Sequence, residues 1–216
     1  MICVIRYELL RFWQGQQQWL QPLLFLGVVA TLFPISLSHS SAPLASFAPA
    51  ILWCCLLLAI LWGIESLYRS DMETGYFEQL VFLHAHTWQL HLGRCISHWI
   101  GLCLPMLLLS PVLALLYQMP FNQIGIMFVT MLIGTPFLIC LGSVIASLTL
   151  AMPKGQLLMA ILLIPLNLPM LLFALGAMEG ESQIFELCLL AALSVAALTI
   201  CPFILDKSVR LSIEEG

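Results

Sequence analysis

The sequence predicts an all-α membrane protein with six transmembrane helices, and three observations predict it. Hydrophobic residues make up 62% of the 216, charged residues 8%, and the mean hydropathy is +1.05, whereas soluble domains carry roughly 25% charged residues. The apolar residues gather into six runs, each near the length of about 20 residues that a helix needs to cross a bilayer. All seven Lys and Arg residues fall on one side of the topology that those runs define.

Six spans leave only short connections, so residues 1–216 form a single transmembrane domain and the chain cannot by itself be a soluble enzyme. The net charge of −4 is small and says nothing about nucleic acid, but the sequence has no basic run and no nucleic-acid partner is expected. The eight cysteines, Cys3, Cys54, Cys55, Cys95, Cys103, Cys140, Cys188 and Cys201, form no CxxC or CxxCH pattern. They read as small core hydrophobes, not redox or metal groups.

Residues 1–18 come first. Ile2, Ile5, Leu9, Phe12 and Trp13 recur at helical spacing around Arg6 and Arg11, the pattern of a helix lying in the membrane surface. Charges and four glutamines precede any long apolar run, and no small-residue cleavage site follows, so the segment is not expected to be a cleavable signal. The spans are expected at about 19–37, 47–64, 95–117, 124–150, 157–178 and 184–205. The basic residues then sort cleanly: Arg6, Arg11, Arg69, Arg94, Lys154, Lys207 and Arg210 share one side. By the positive-inside rule both termini are expected in the cytoplasm.

No Asp, Glu, Lys or Arg falls mid-span, which argues against an ion-coupled transporter, since those bury an ionisable group at membrane depth. Asn167, between Pro165 and Pro169, is the most polar mid-span feature. It reads as a helix–helix hydrogen bond beside a kink, with a substrate contact as the other reading.

One cytoplasmic segment, residues 65–94, has chemical content. Ser70 followed by Glu73 fits a capping box, and Tyr76, Phe77, Leu80 and Val81 then recur at helical spacing. A short amphipathic helix is therefore expected from about Asp71, lying on the bilayer or in a partner's groove. His84, His86, His91 and His98 sit in or beside this segment, with His39 on the opposite side. His84, His91 and His98 are seven apart, but a break is expected before the third span, so interfacial polar roles are preferred over haem or metal ligation. No GxxxxGK[ST] phosphate loop is present, so any nucleotide hydrolysis must come from another subunit.

The ordered stretches TLFPISLS (31–38), FAPAILW (47–53), ESLYRSDMETGYFEQL (65–80), LLLSPVLALL (107–116), LIGTPFL (132–138) and LLIPLNLPMLLFALGAM (162–178) resemble the CcmB family. These are the haem exporter B permeases of the cytochrome c maturation ABC transporter. The resemblance runs through nearly the whole chain. It implies an ABC-2 (type V exporter-like) permease with an N-terminal interfacial helix and a cytoplasmic coupling helix. It also implies a separate ATPase, CcmA, and the haem-handling partners CcmC, CcmD and CcmE. Two copies per complex are expected, because an ATPase dimer offers two grooves and each chain one coupling helix.

In that family the coupling helix contacts the ATPase, which here assigns docking to Asp71, Glu73, Gly75, Tyr76, Phe77, Glu78 and Leu80. The implied role is to couple ATP hydrolysis by CcmA to haem delivery or to release of haem-loaded CcmE. ATP would sit on the partner and haem in the complex, with no catalytic, metal or cofactor site on this chain. The implied location is the bacterial inner membrane. FLHAHTW (82–88) departs from the proline-containing stretch of the family, and the tryptophan-rich signature of haem-handling membrane proteins is missing. Two other functions compatible with the residues are an ABC-2 permease for a lipid or drug, and a haem-binding membrane carrier.

Overall fold

A computed structural model of the chain describes Glu8 and residues 16–37, 44–74, 87–149, 155–179 and 183–214. Its six long helices are α1 (Gln16–Leu37), α2 (Leu44–Glu73), α3, α4 (Phe121–Thr149), α5 (Gly155–Glu179) and α6 (Gln183–Glu214). α3 runs without a break through an α-helical piece Thr87–His98, a π-helical turn Trp99–Cys103 and a second α-helical piece Leu104–Leu116. All six contain a stretch long and apolar enough to cross a membrane. No strand occurs among the described residues.

The helices are longer than the apolar runs suggest, chiefly at one end of the bundle. The second span was expected to stop near Ile64, but α2 continues to Glu73; the third was expected from Cys95, but α3 starts at Thr87. Polar residues end lipid contact; they do not end a helix. At a rise of 1.5 Å per residue, the 30 residues of α2 extend roughly 45 Å, against a hydrocarbon core of about 30 Å. The stems of the α2–α3 hairpin therefore stand well beyond the apolar layer. Of the expected N-terminal surface helix only Glu8 is described; it is helical and buried.

α4 is the hub. It packs against α2, α3, α5 and α6, whereas α1 lies outside against α2 and α3. Glycine makes that central position possible at two places. A Cβ on Gly134 would lie 2.5 Å from Met170 Cε and 2.9 Å from Trp53 Cη2, and one on Gly142 would lie 2.5 Å from Ile64 Cδ1. Small residues at such crossings let helices close up where lipid supplies no hydrophobic drive.

Proline leaves carbonyls without their usual donor four residues on, and side chains supply replacements. Pro111 cannot serve Leu107, and the Ser110 hydroxyl donates to that carbonyl at 2.8 Å. Pro34 cannot serve Ala30, and the Tyr117 hydroxyl reaches across from the end of α3 to donate at 2.6 Å. Asn167 behaves differently from its expected helix–helix role: its amide donates within its own helix to the Leu163 carbonyl at 2.8 Å. Beyond α3, Gln118 adopts φ 57. Its N–H bonds the Leu115 carbonyl at 3.0 Å and the Met119 N–H bonds that of Ala114 at 3.1 Å, a Schellman closure in which glutamine stands where glycine is usual.

Candidate functional site

The chemistry gathers where α2 and α3 leave the apolar layer. Along α2, Ile60, Ile64, Leu67, Tyr68 and Asp71 are all buried. Their spacing of three and four marks one helix face, so Asp71 prolongs a buried stripe and does not open a new helix. Thr74 closes α2, its N–H and hydroxyl both reaching the Ser70 carbonyl, at 3.1 and 2.9 Å. This overturns the expected capping box. Ser70 and Glu73 lie within the last turn of a helix that arrives from the membrane, and a capping box needs a non-helical residue before its first turn.

Facing that end of α2, α3 presents Arg94 and His98, one turn apart and both buried. Arg94 forms an ion pair with Asp71, the two side chains only 3% and 5% exposed. The guanidinium also lies over the Tyr68 ring, 5.0 Å from its centroid. Tyr68 meets the His98 ring edge to face at 6.1 Å. A buried charge pair needs further partners to offset its desolvation, and the aromatic faces contribute here. Trp88, at the start of α3, stacks on Phe203 of α6 at 5.4 Å, which seats the α3 stem against the end of α6. Arg69, Arg94 and Lys207 thus share one end of the bundle, with Arg69 and Lys207 exposed.

Just beyond this cluster lies the π turn. Pro105 has no N–H to give Gly101, and the Leu104 N–H reaches back five residues to the Trp99 carbonyl. The wider turn brings Leu102 against Gly63 of α2, where a Cβ would lie only 2.6 Å from it. The Trp99 indole N–H donates to the Thr135 hydroxyl of α4 at 2.9 Å.

Of the residues assigned to docking, Asp71 faces inward, its carboxylate on Arg94. Glu73 is the last residue of α2, with its side chain outside what is described. Gly75, Tyr76, Phe77, Glu78 and Leu80 lie outside the described residues, as do His39, His84 and His86. His91 and His98 sit on one uninterrupted helix and are both buried; any break between the expected loop helix and the third span would lie before Thr87, outside the described residues. Continuous helical hydrogen bonding carries the chain from the stem into the span. Among the described residues no three His, Cys, Asp or Glu side chains come together as a metal would need.

Arg94 and Tyr68 were missed as site residues. The available signal was an acid on the buried stripe of α2, which demands a partner of opposite charge across the hairpin.

The chain matches the sequence model of the family described as CcmB protein over residues 1–212. It belongs to the CcmB family. Heme exporter protein B of Pseudomonas aeruginosa is 36% identical over 198 residues, covering 90% of this chain and 89% of the relative. The protein of that name from Haemophilus influenzae is 34% identical over 215 residues, covering 98% and 97%. The one from Escherichia coli K12 is 35% identical over 215 residues, covering 98% of each. Membership of the CcmB family and the six apolar spans make this a multi-pass membrane permease.

Proposed function

We propose that the chain is the permease subunit of the ABC transporter complex for cytochrome c maturation. In this reading it couples ATP hydrolysis by a partner, CcmA, to haem delivery or to release of the haem-loaded chaperone CcmE. The carrying observation is that the CcmB family match spans almost the entire chain, together with near-complete coverage of relatives named heme exporter protein B. That name favours haem handling over a lipid or drug cargo. Haem is cargo of the complex in this reading, ATP belongs to the partner, and this chain is non-catalytic. CcmC, CcmD and CcmE complete the assembly, with two copies of the permease facing the two grooves of an ATPase dimer.

The segment between α2 and α3 docks the ATPase. Because Asp71 faces inward, docking falls to the residues beyond it: Glu73, Gly75, Tyr76, Phe77, Glu78 and Leu80. Closure of the ATPase dimer on nucleotide would push this segment, and the two stems would carry the push into the bundle. The gathering of Arg69, Arg94 and Lys207 at the hairpin end supports a cytoplasmic location for that end and for both termini, in the bacterial inner membrane. The test is co-purification of CcmA with the tagged chain in mild detergent. Wild-type chain retains the ATPase, and Glu78→Lys loses it while inserting normally; retention at wild-type yield by Glu78→Lys removes the docking assignment.

A further inference from the structure

We propose that Asp71 and Arg94 are positioning residues that fuse the stems of α2 and α3 into one lever, with the π turn Trp99–Cys103 as its hinge. The proposal rests on the docking role given above to the segment between the stems. Three contacts join the stems within one helical turn of each: the Asp71–Arg94 pair, Arg94 over Tyr68 and Tyr68 against His98. All four side chains are buried. Separating the ions would strand both charges away from water, so the stems resist moving apart.

The compliance lies next door. A π turn gives up the regular i−4 bonding of the helix and is a recurrent place for helices to bend. Here it starts one residue after His98, where the stem contacts end. The turn begins at a fixed point, Trp99 being bonded to Thr135 of α4, and the piece beyond it, Leu104–Leu116, packs on α1 and α4. A push on the segment between the stems would therefore swing both stems together and flex α3 at 99–103. The outer piece, Leu104–Leu116, stays with α4. A hairpin whose stems slid independently would absorb the same push locally and pass little of it on.

The first test measures coupling in the complete ATPase–permease complex. Asp71→Asn and Arg94→Gln are expected to retain the ATPase but to lower maturation of cytochrome c per ATP hydrolysed by about tenfold or more. Asp71→Arg combined with Arg94→Asp restores it. Loss of coupling in the single variants at unchanged ATPase yield and unchanged unfolding midpoint is a result a merely structural role would not give, and rescue by the reversed pair assigns that loss to the contact. Full coupling in either single variant overturns the proposal.

The second test keeps both native side chains, so misfolding of variants does not cloud it. Spin labels are placed at exposed positions, on unnatural amino acids because the chain has eight cysteines. Between nucleotide-free and ATP-trapped complexes, the distance from 69 to 89 across the stems stays constant and that from 89 to 108 across the π turn changes. A shift in the first distance, or none in the second, overturns the lever. Failure of the ATPase to bind wild-type chain would instead refute the function it rests on.

Discussion

Tyr117→Phe removes one hydroxyl and tests whether proline-freed carbonyls hold this bundle together. Pro34 leaves the Ala30 carbonyl without its backbone donor, and the Tyr117 hydroxyl replaces it at 2.6 Å. Ala30 and Tyr117 are both 0% exposed, so water cannot take over. A buried acceptor left unpaired costs about 1–3 kcal/mol, although side-chain bonds between membrane helices average nearer ~0.6 kcal/mol because the loosened state finds other partners. The two figures bracket an expected loss of roughly 0.6–3 kcal/mol. Pro34→Ala supplies the discriminating control, since it returns an N–H four residues from Ala30. In that background the hydroxyl is redundant, and Tyr117→Phe should cost less than about half of what it costs alone. The assay is reversible unfolding in mixed micelles at increasing SDS fraction, run on all four corners of the double-mutant cycle. Equal cost in both backgrounds refutes the reasoning, because the hydroxyl would then be stabilising something other than the carbonyl that Pro34 exposes.

Three further outcomes follow from the packing. On α4, Gly125 has nothing within 4 Å of a built Cβ, whereas Gly134 meets Met170 and Trp53 below 3.0 Å. Gly125→Ala should stabilise by about 0.5–1 kcal/mol and Gly134→Ala should destabilise by a net ~1–2 kcal/mol, read by the same unfolding assay. Gln118→Gly should stabilise by roughly 1 kcal/mol, because glutamine pays for the left-handed φ of 57 and glycine does not; thermal unfolding in detergent checks the sign. Ser110→Ala removes the hydroxyl that donates at 2.8 Å to the carbonyl that Pro111 leaves free, and should lower the midpoint by the equivalent of about 1 kcal/mol. An unchanged midpoint would show that carbonyl to be satisfied elsewhere.

The six spans were legible because lipid imposes a long, nearly continuous apolar run, and each run overlaps an observed helix. The ends of α2 and α3 were not legible for the same reason. Hydropathy reports where a helix meets lipid, and α2 keeps helical bonding for nine residues past Ile64 while its surroundings change from lipid to protein. Ser70 and Glu73 then mimicked a helix start, although Leu67, Tyr68 and Asp71 continue the buried stripe set by Ile60 and Ile64. Following that stripe for two more turns would have turned Asp71 inward. The π turn left a faint trace in Gly101 and Pro105, but proline is common in these spans, and nothing local separates a bulge from an ordinary kink.

The position of the ion pair also explains why no charge was needed at membrane depth. An arginine at the bilayer centre costs about 2.5–3.5 kcal/mol on insertion scales. Asp71 lies seven residues beyond Ile64, which at 1.5 Å per residue is roughly 10 Å past the apolar run. The pair is therefore shielded by protein, not by lipid: Tyr68 covers Arg94, and α6 closes the α3 stem through Phe203. Under the proposed lever, a buried ion pair is well placed there. At the bilayer centre the same pair would be costly to insert. On an open surface it would contribute about 0–1 kcal/mol and could not hold two helices in register. At the protein-covered edge of the apolar layer, both charges are shielded from water and lie near the described ends of the two stems.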